Sequence, residues 1–378
     1  MPVTNPTQPV YFTTPLLPVA RVFHQIRATA TDRTLLQRQL GYSQASITRH
    51  VGALINAGLV EEVRSSVDDG TKAGRPRTGL SIDGRHLTAW GAHIGVNSTE
   101  IVVSDLAGRV IRHETLDIHV PGSTSSEILG TVSDALTQLG AGLPEPVNVG
   151  VAFSAHVDRD GLITSDSYGW ENADVGADLS AVLGRPVSIG TGVAAMAGTE
   201  IIESPLQASE QPAPSTLYFY AREVIAHAWI FNGAVHRPHT GRSPAAFHPE
   251  NSTGSHPLST TKTLQKAHEQ GIRARSLAEL VHLGSTRPVA RKILDDRATA
   301  LGDAVASAID VVDPDTVVFA GDAFTTDPAG LRIVVERLRS RSSVGGQLRI
   351  QRADQHILRT AAIQVALHAV RQDPLSHV

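Results

Sequence analysis

Apolar positions near the start of the chain recur with a helical period. Val19, Val22, Phe23 and Ile26 fall three and four apart within residues 18–28, and Leu35, Leu36 and Leu40 follow Asp32. Pro18 opens the first segment and Asp32 precedes the second, both helix-start signals. Gly41-Tyr42-Ser43 then predicts a tight turn, in which glycine accepts a positive φ and serine caps the next helix. A third helix is predicted over residues 44–57, with Ile47, Val51, Leu54 and Ile55 on one face. Ala45, Ser46 and Arg49 project opposite that face, Gln44 occupies the exposed first turn, and Thr48 and His50 flank it. Gly58 ends the helix. Residues 59–63 predict a strand that returns at 78–82 after a loop at 65–77.

From His86 onward strands and helices alternate. Strands are predicted at 87–96, 100–105 and 110–117, then a helix at 125–139, a strand at 147–153, a helix around 179–183, a strand at 187–189 and a helix at 193–203. Residues 204–215 carry Pro205, Pro212 and Pro214 without apolar periodicity and read as a surface connection. A hairpin at 216–221 and 224–231, helices extending to Ile309, a strand at 316–320 and a last helix over about 353–368 complete the pattern. The prediction is a winged helix-turn-helix over residues 1–85 ahead of two α/β lobes. The first lobe spans 86–203 and is completed by the C-terminal helix within 353–378; the second spans 204–352 and carries a dimerisation surface.

Charge divides along the same boundary. Residues 1–90 carry ten Lys/Arg against six Asp/Glu, whereas the remainder carries 23 against 31, so a basic head stands on an acidic body. That asymmetry suits phosphate binding by the head. On the third helix Arg49 can donate to guanine and Gln44 can pair with adenine, while Ala45 and Ser46 permit close approach to a major groove. The DNA-contact set is therefore Ser43, Gln44, Ala45, Ser46, Thr48, Arg49 and His50, joined by Lys72, Arg75 and Arg77 at the glycine- and proline-bearing loop tip, whose cations suit phosphates or a narrow minor groove. The common alternatives are a structural three-helix bundle and a solvated basic loop.

With no cysteine, disulfides, thiolate metal sites and a cysteine nucleophile are excluded. No apolar run approaches the roughly 18 residues of a membrane span, and residues 1–10 lack a signal-peptide pattern, so a cytoplasmic, membrane-free protein is expected. Five histidines lie between His227 and His256, at His227, His236, His239, His248 and His256. A histidine-only metal site is chemically possible there, but ordinary polar histidines explain the spacing equally well, and neither metal nor cofactor is expected. Trp170 is expected in the core.

Several runs resemble the ROK family of repressors, open reading frames and kinases, in its repressor branch. They are residues 44–49 before Gly58-Leu59-Val60, Gly74-Arg75-Pro76, Ser104-Asp105-Leu106-Ala107-Gly108, Val157-Asp158-Arg159-Asp160-Gly161, and more weakly Asn232-Gly233 and residues 313–318. The resemblance implies an actin-like, ribonuclease H-like sugar-kinase body behind the winged head. It also implies a homodimer or higher oligomer on a palindromic operator in double-stranded DNA, and a sugar or sugar derivative as effector.

The departures from that family are as informative. Where its kinases have Asp-x-Gly-Gly-Thr-Lys, residues 93–98 read His-Ile-Gly-Val-Asn-Ser; where they have Asn-Asp-Ala-Asn-Ala-Ala, with aspartate as base, residues 190–195 read Gly-Thr-Gly-Val-Ala-Ala. Thr191 cannot act as that base near neutral pH. Gly-Glu-x-Gly-His has become residues 244–248, retaining only His248, and the cysteine-rich zinc loop is replaced at 252–259. The expectation is a transcriptional repressor without kinase activity, connected to carbohydrate metabolism, in which Thr191 and His248 are the candidate ligand contacts. The alternatives are a ligand-free scaffold controlled by a protein partner, and a carbohydrate kinase with an accessory DNA-binding head.

Overall fold

A computed structural model describes residues 9–29, 31–64, 78–83, 86–206, 213–238, 256–341, 349–354 and 356–377. The first three helices are α1 (Pro18–Ala28), α2 (Arg33–Leu40) and α3 (Gln44–Asn56), followed by the antiparallel pair β1 (Val60–Arg64) and β2 (Thr78–Ile82). Their ends are set by local chemistry. Asp32 accepts the Leu35 N–H at 2.7 Å to start α2, and Gly41, left-handed at φ 69°, closes it. Val22, Phe23 and Ile26 of α1, Leu36 and Leu40 of α2, and Ile47, Val51 and Leu54 of α3 converge on Leu59, Val60, Leu80 and Ile82. The same cluster continues into Ala89, Val102 and Leu106 of the body and Ala362, Ile363, Ala366 and Leu367 near the C-terminus. The head is thus packed onto the body by a shared core.

The first lobe contains β3 (Thr88–Ile94), β4 (Thr99–Ser104), β5 (Val110–Leu116), α4 (Ser125–Gly140), β6 (Pro146–Phe153), β7 (His156–Val157), β8 (Ile163–Ser165), β9 (Trp170–Ala173), α5 (Val175–Leu183), β10 (Val187–Thr191) and α6 (Gly192–Glu203). Its main sheet has the order β10-β6-β3-β4-β5, parallel from β10 through β3 and antiparallel beyond, while β7, β8 and β9 make a small separate sheet. Helix α4 opens with a reciprocal cap between Thr124 and Glu127, and with α5 covers one sheet face.

The second lobe contains β11 (Thr216–Ala221), β12 (Ile225–Phe231), β13 (Ala234–Val235), α7 (Thr260–Glu269), α8 (Leu277–Gly284), α9 (Pro288–Val312), β14 (Thr316–Ala320), α10 (Asp322–Thr325), α11 (Pro328–Arg341) and β15 (Arg349–Arg352), before the terminal helix α12 (Ile357–Gln372). Its sheet runs β13-β12-β11-β14-β15. Leu217, Phe219, Val317 and Phe319 bury one face against Leu301, Val305 and Ile309 of α9 and Val334 and Leu338 of α11.

Helices α6 and α12 lie between the two main sheets. The close approach of α12 to the first sheet depends on glycine: a Cβ at Gly91 would come within 2.9 Å of the Ala362 carbonyl carbon, and one at Gly150 within 2.2 Å of the Ala366 nitrogen. Small residues on both partners let sheet and helix backbones touch.

The mixed α/β architecture agrees with the expected fold class, and most expected elements occur. Trp170 is buried, donates from Nε1 to the Ser123 carbonyl at 3.1 Å and meets Tyr168 edge-on, as expected of a core residue. The differences have local causes. Helix α12 starts at Ile357 because the Ala353 N–H still donates to Phe319 O in the sheet, at 2.8 Å. Residues 204–206, expected in a surface connection, dock on α1, with Leu206 buried.

Candidate nucleic-acid interface and interlobe cleft

The α2–α3 turn presents one side of α3. Ser43 accepts the Ser46 N–H at 3.2 Å, fixing the first turn, while Ile47, Val51 and Leu54 anchor the opposite face. Ser43, Gln44, Ala45, Thr48 and Arg49 are exposed; Ser46 and His50 are half-buried. Seven of the expected DNA contacts thus lie on a single turn and helix face. Partial burial, followed by the neighbouring Arg49 charge, pulls the His50 pKa below the usual imidazole range, so this ring is neutral near pH 7. An ion pair of 2.6 Å between Arg33 and Glu62 joins α2 to β1. Lys72, Arg75 and Arg77 lie outside the described residues.

Behind α3, the polar residues of α1 grip the body. His24 Nε2 donates to the Ser204 carbonyl at 2.9 Å, Arg27 donates to the Ile202 carbonyl, and Gln25 Oε1 accepts the Leu206 N–H at 2.8 Å. Burial, with the positive charges of Arg27, Arg371 and Arg21, holds His24 down at about 4. Near the end of α12 the buried Arg371 guanidinium donates to Gln364, and desolvation drives its pKa well down. None of these α1 contacts was anticipated. His24, Gln25 and Arg27 interrupt an amphipathic helix, and the side of α1 they occupy is a body contact, for which helical periodicity carries no signal.

Between the lobes lies a cleft of about 920 Å³. Thr191, the residue before α6, lines it together with Ser154, Asp158, Tyr220, Glu223 and Trp229. His248 lies outside the described residues. At the end of β3 His93 is wholly buried, and desolvation, reinforced by the Arg222 charge, lowers its pKa to about 4. Its Nε2 is 3.4 Å from Ser154 Oγ and would lie 2.8 Å from a Cβ at Gly192, so a neutral imidazole is packed between Ser154 and the start of α6. Asn97 Oδ1 is 2.9 Å from His119 Nδ1. Among the described residues no group of three or more His, Cys, Asp or Glu side chains is placed to hold a metal, and no helix is long and apolar enough to cross a membrane.

One stretch of the cleft wall was not foreseen. Pro9, Val10, Tyr11 and Phe12, preceding α1, run along it. The alternation of Val10, Phe12 and Thr14 is a strand signal, but too short to stand out beside two prolines.

Residues 89–248 match the ROK family. Proteins named transcriptional regulators in Mycobacterium tuberculosis and Mycobacterium bovis are each 29% identical over 381 residues, covering 94% of this chain and 86% of theirs. Among solved structures, a ROK family transcriptional regulator described as a homologue of the E. coli MLC protein superposes with a TM-score of 0.72 at 16% identity, covering 95% of this chain and 97% of its own. A ROK hexokinase from Thermus thermophilus gives a TM-score of 0.56 at 20% identity and covers 75% of this chain and 99% of its own. A ROK glucokinase from Streptomyces griseus, in complex with glucose and AMPPNP, gives 0.59 at 15% and covers 74% and 98%. The fold of that regulator therefore extends over nearly the whole chain, whereas the kinase folds leave about a quarter of it unmatched, and the match to the ROK family itself covers residues 89–248.

Proposed function

We propose that the protein is a sequence-specific DNA-binding transcriptional regulator, acting as a repressor, that reads a palindromic operator as a homodimer or higher oligomer through α3. The observation that carries this reading is the exposed face of Gln44, Ala45, Thr48 and Arg49, held by a capped turn and backed by a closed apolar core. The basic head and the similarity to proteins named transcriptional regulators support it. Wing cations Lys72, Arg75 and Arg77 would contact the flanking backbone or minor groove. Arg49→Ala is expected to weaken binding to the preferred duplex by about 1–3 kcal/mol, as for loss of a bidentate base contact, with little effect on non-specific DNA. Fluorescence anisotropy at fixed salt measures both. Equal affinity of variant and wild type for the preferred duplex would refute the assignment of α3.

The body acts as a sensor rather than a kinase in this reading. The chain has a hydroxyl at Thr191 and a buried neutral histidine at His93, where an enzyme of this fold needs a base and a phosphate-facing loop. The cleft, with Thr191 and His248 as contacts, would take a sugar or sugar derivative, and that ligand regulates only through unequal affinity for two lobe arrangements. A thermal-shift screen with monosaccharides and their phosphates is expected to return at least one stabilising compound. A blank screen would favour a scaffold controlled by a protein partner, and sugar-dependent ATP turnover by pure protein would restore the kinase reading.

A further inference from the structure

Residues 9–14 connect three parts of the molecule. The Val10 N–H donates to Ile189 O of β10, the edge strand of the first sheet, at 2.8 Å. Four residues on, the Thr14 N–H donates to Gly233 O, and Phe12 O accepts from Val235 of β13, the edge strand of the second sheet, both at 2.8 Å. Gln372 of α12 donates to Thr13 O at 2.9 Å. The segment therefore bridges the two sheet edges across the cleft, and α1 begins four residues beyond it, at Pro18.

Alternate side chains of the segment sit against glycines. A Cβ at Gly190 would come within 2.9 Å of Val10 Cγ2, one at Gly198 within 2.6 Å of Phe12 Cγ, and one at Gly233 within 2.9 Å of Thr14 Cγ2. Phe12 is 2% exposed and meets His368 of α12 edge-on, with ring centroids 5.1 Å apart. Three glycines on β10, α6 and the β12–β13 turn thus make a track for a strand-like segment with a period of two. Pro9, Val10, Tyr11 and Phe12 also line the cleft. Helix α6 supplies a second connection, since its first residues line the cleft and the chain at its far end, Ile202 to Leu206, holds His24, Gln25 and Arg27 of α1.

We infer that residues 9–14 are a strap that transmits the spacing of the two lobes to the reading head. Opening or closing the cleft changes the distance between the β10 and β13 edges, and the strap can follow only by pulling on α1 or by leaving its glycine track. Phe12 is the positioning residue, because its ring is the strap's largest buried side chain. The link to DNA rests on the reading of α3 given above; the mechanical link between cleft and head does not.

Hydrogen exchange of the full-length Phe12→Ala variant tests the mechanical link. Exchange is expected to accelerate at least tenfold in 9–14, in α1 and at 202–206, with α9 unchanged and Phe12→Leu close to wild type. Acceleration confined to 9–14 would overturn the inference. Because the chain has no cysteine, the Thr14→Cys/Gly233→Cys pair provides a second arm that survives if Phe12→Ala fails to fold. Thr14 Cβ lies 3.7 Å from the position of a Cβ at Gly233, within the range a disulfide spans, and comparing oxidised with reduced protein cancels the strain of a side chain at that positive φ. Oxidation is expected to slow exchange in α1, and equal α1 exchange in the two states would overturn the inference. DNA affinity is then read with the duplex that wild-type protein retains most tightly from sheared genomic DNA. Phe12→Ala is expected to bind it at least tenfold more weakly, with Phe12→Leu restoring affinity, whereas unchanged affinity with the strap released would remove the link to DNA. If wild-type protein retains no duplex, the DNA reading fails while the exchange data still decide the strap.

Discussion

Single residues explain why this sequence tolerates such close packing and where it is vulnerable. At Gly150 a methyl group would meet the backbone of α12 at 2.2 Å, with no flexible side chain able to yield. Gly150→Ala is therefore expected to destabilise the body by about 3 kcal/mol or more, at the upper end of overpacking costs, seen as a lower thermal midpoint. His24 and His93 provide a different test. Both are buried, with pKa values of about 4 against an ordinary 6.5. The unfolded chain therefore takes up protons first as pH falls. The stability that each neutral imidazole contributes is fully present above about pH 6.5 and is lost toward pH 4, on the order of 3 kcal/mol per residue. Denaturant titrations at pH 7 and pH 5 are expected to show lower stability at pH 5, with the difference shrinking in His24→Gln. A pH-independent midpoint would contradict the burial of both rings as neutral species.

Among the secondary elements, legibility in the sequence followed periodicity and end signals. Pro18 at the start of α1, Asp32 before α2 and Ser43 before α3 are each found at the expected boundary, and the residues expected inside, Ile47, Val51 and Leu54, are buried. Helix α5 was read short at its start because Gly176 and Asp178 blur its first turn, although Asp174 caps it by accepting the Ala177 N–H. The sheet of β7, β8 and β9 escaped because its strands have two, three and four residues, too few for alternation to register. Helix α11 was missed because four arginines and a glutamate dilute the stripe of Leu331, Val334 and Leu338. For α3 the consequence is quantitative. Leu54→Ala leaves the exposed face untouched but opens the core of the head, at a cost of about 2–5 kcal/mol in stability. Ser43→Ala removes only the cap and is expected to cost about 1 kcal/mol. Circular dichroism melts should rank the two variants in that order; a larger loss for Ser43→Ala would contradict the packing described for α3.

For the molecule as a whole, the exposed face of α3 and the mixed α/β body could be read from the chain, but their attachment could not. The head shares its core with β3, β4 and α12, and α1 turns His24, Gln25 and Arg27 toward the end of α6 and the residues that follow it. The contacts with α12 and those made by His24, Gln25 and Arg27 join residues more than 150 positions apart, and local pattern holds no record of them. The strap at 9–14 is of the same kind: its meaning lies in Gly190, Gly198 and Gly233, which ordinary strand, helix and turn roles would also explain. The head is therefore positioned by the body.

DNA reading by α3 is tested most directly by selection from a pool of random duplexes with wild-type protein and with Arg49→Ala. The wild type is expected to enrich a two-fold symmetric motif whose half-sites lie about one helical turn, roughly 34 Å, or a multiple of that, apart. Arg49→Ala should lose base preference at one position in each half-site while keeping the spacing. Failure of the wild type to enrich any motif, or an identical motif from the variant, would contradict the assignment of α3 as the reading helix.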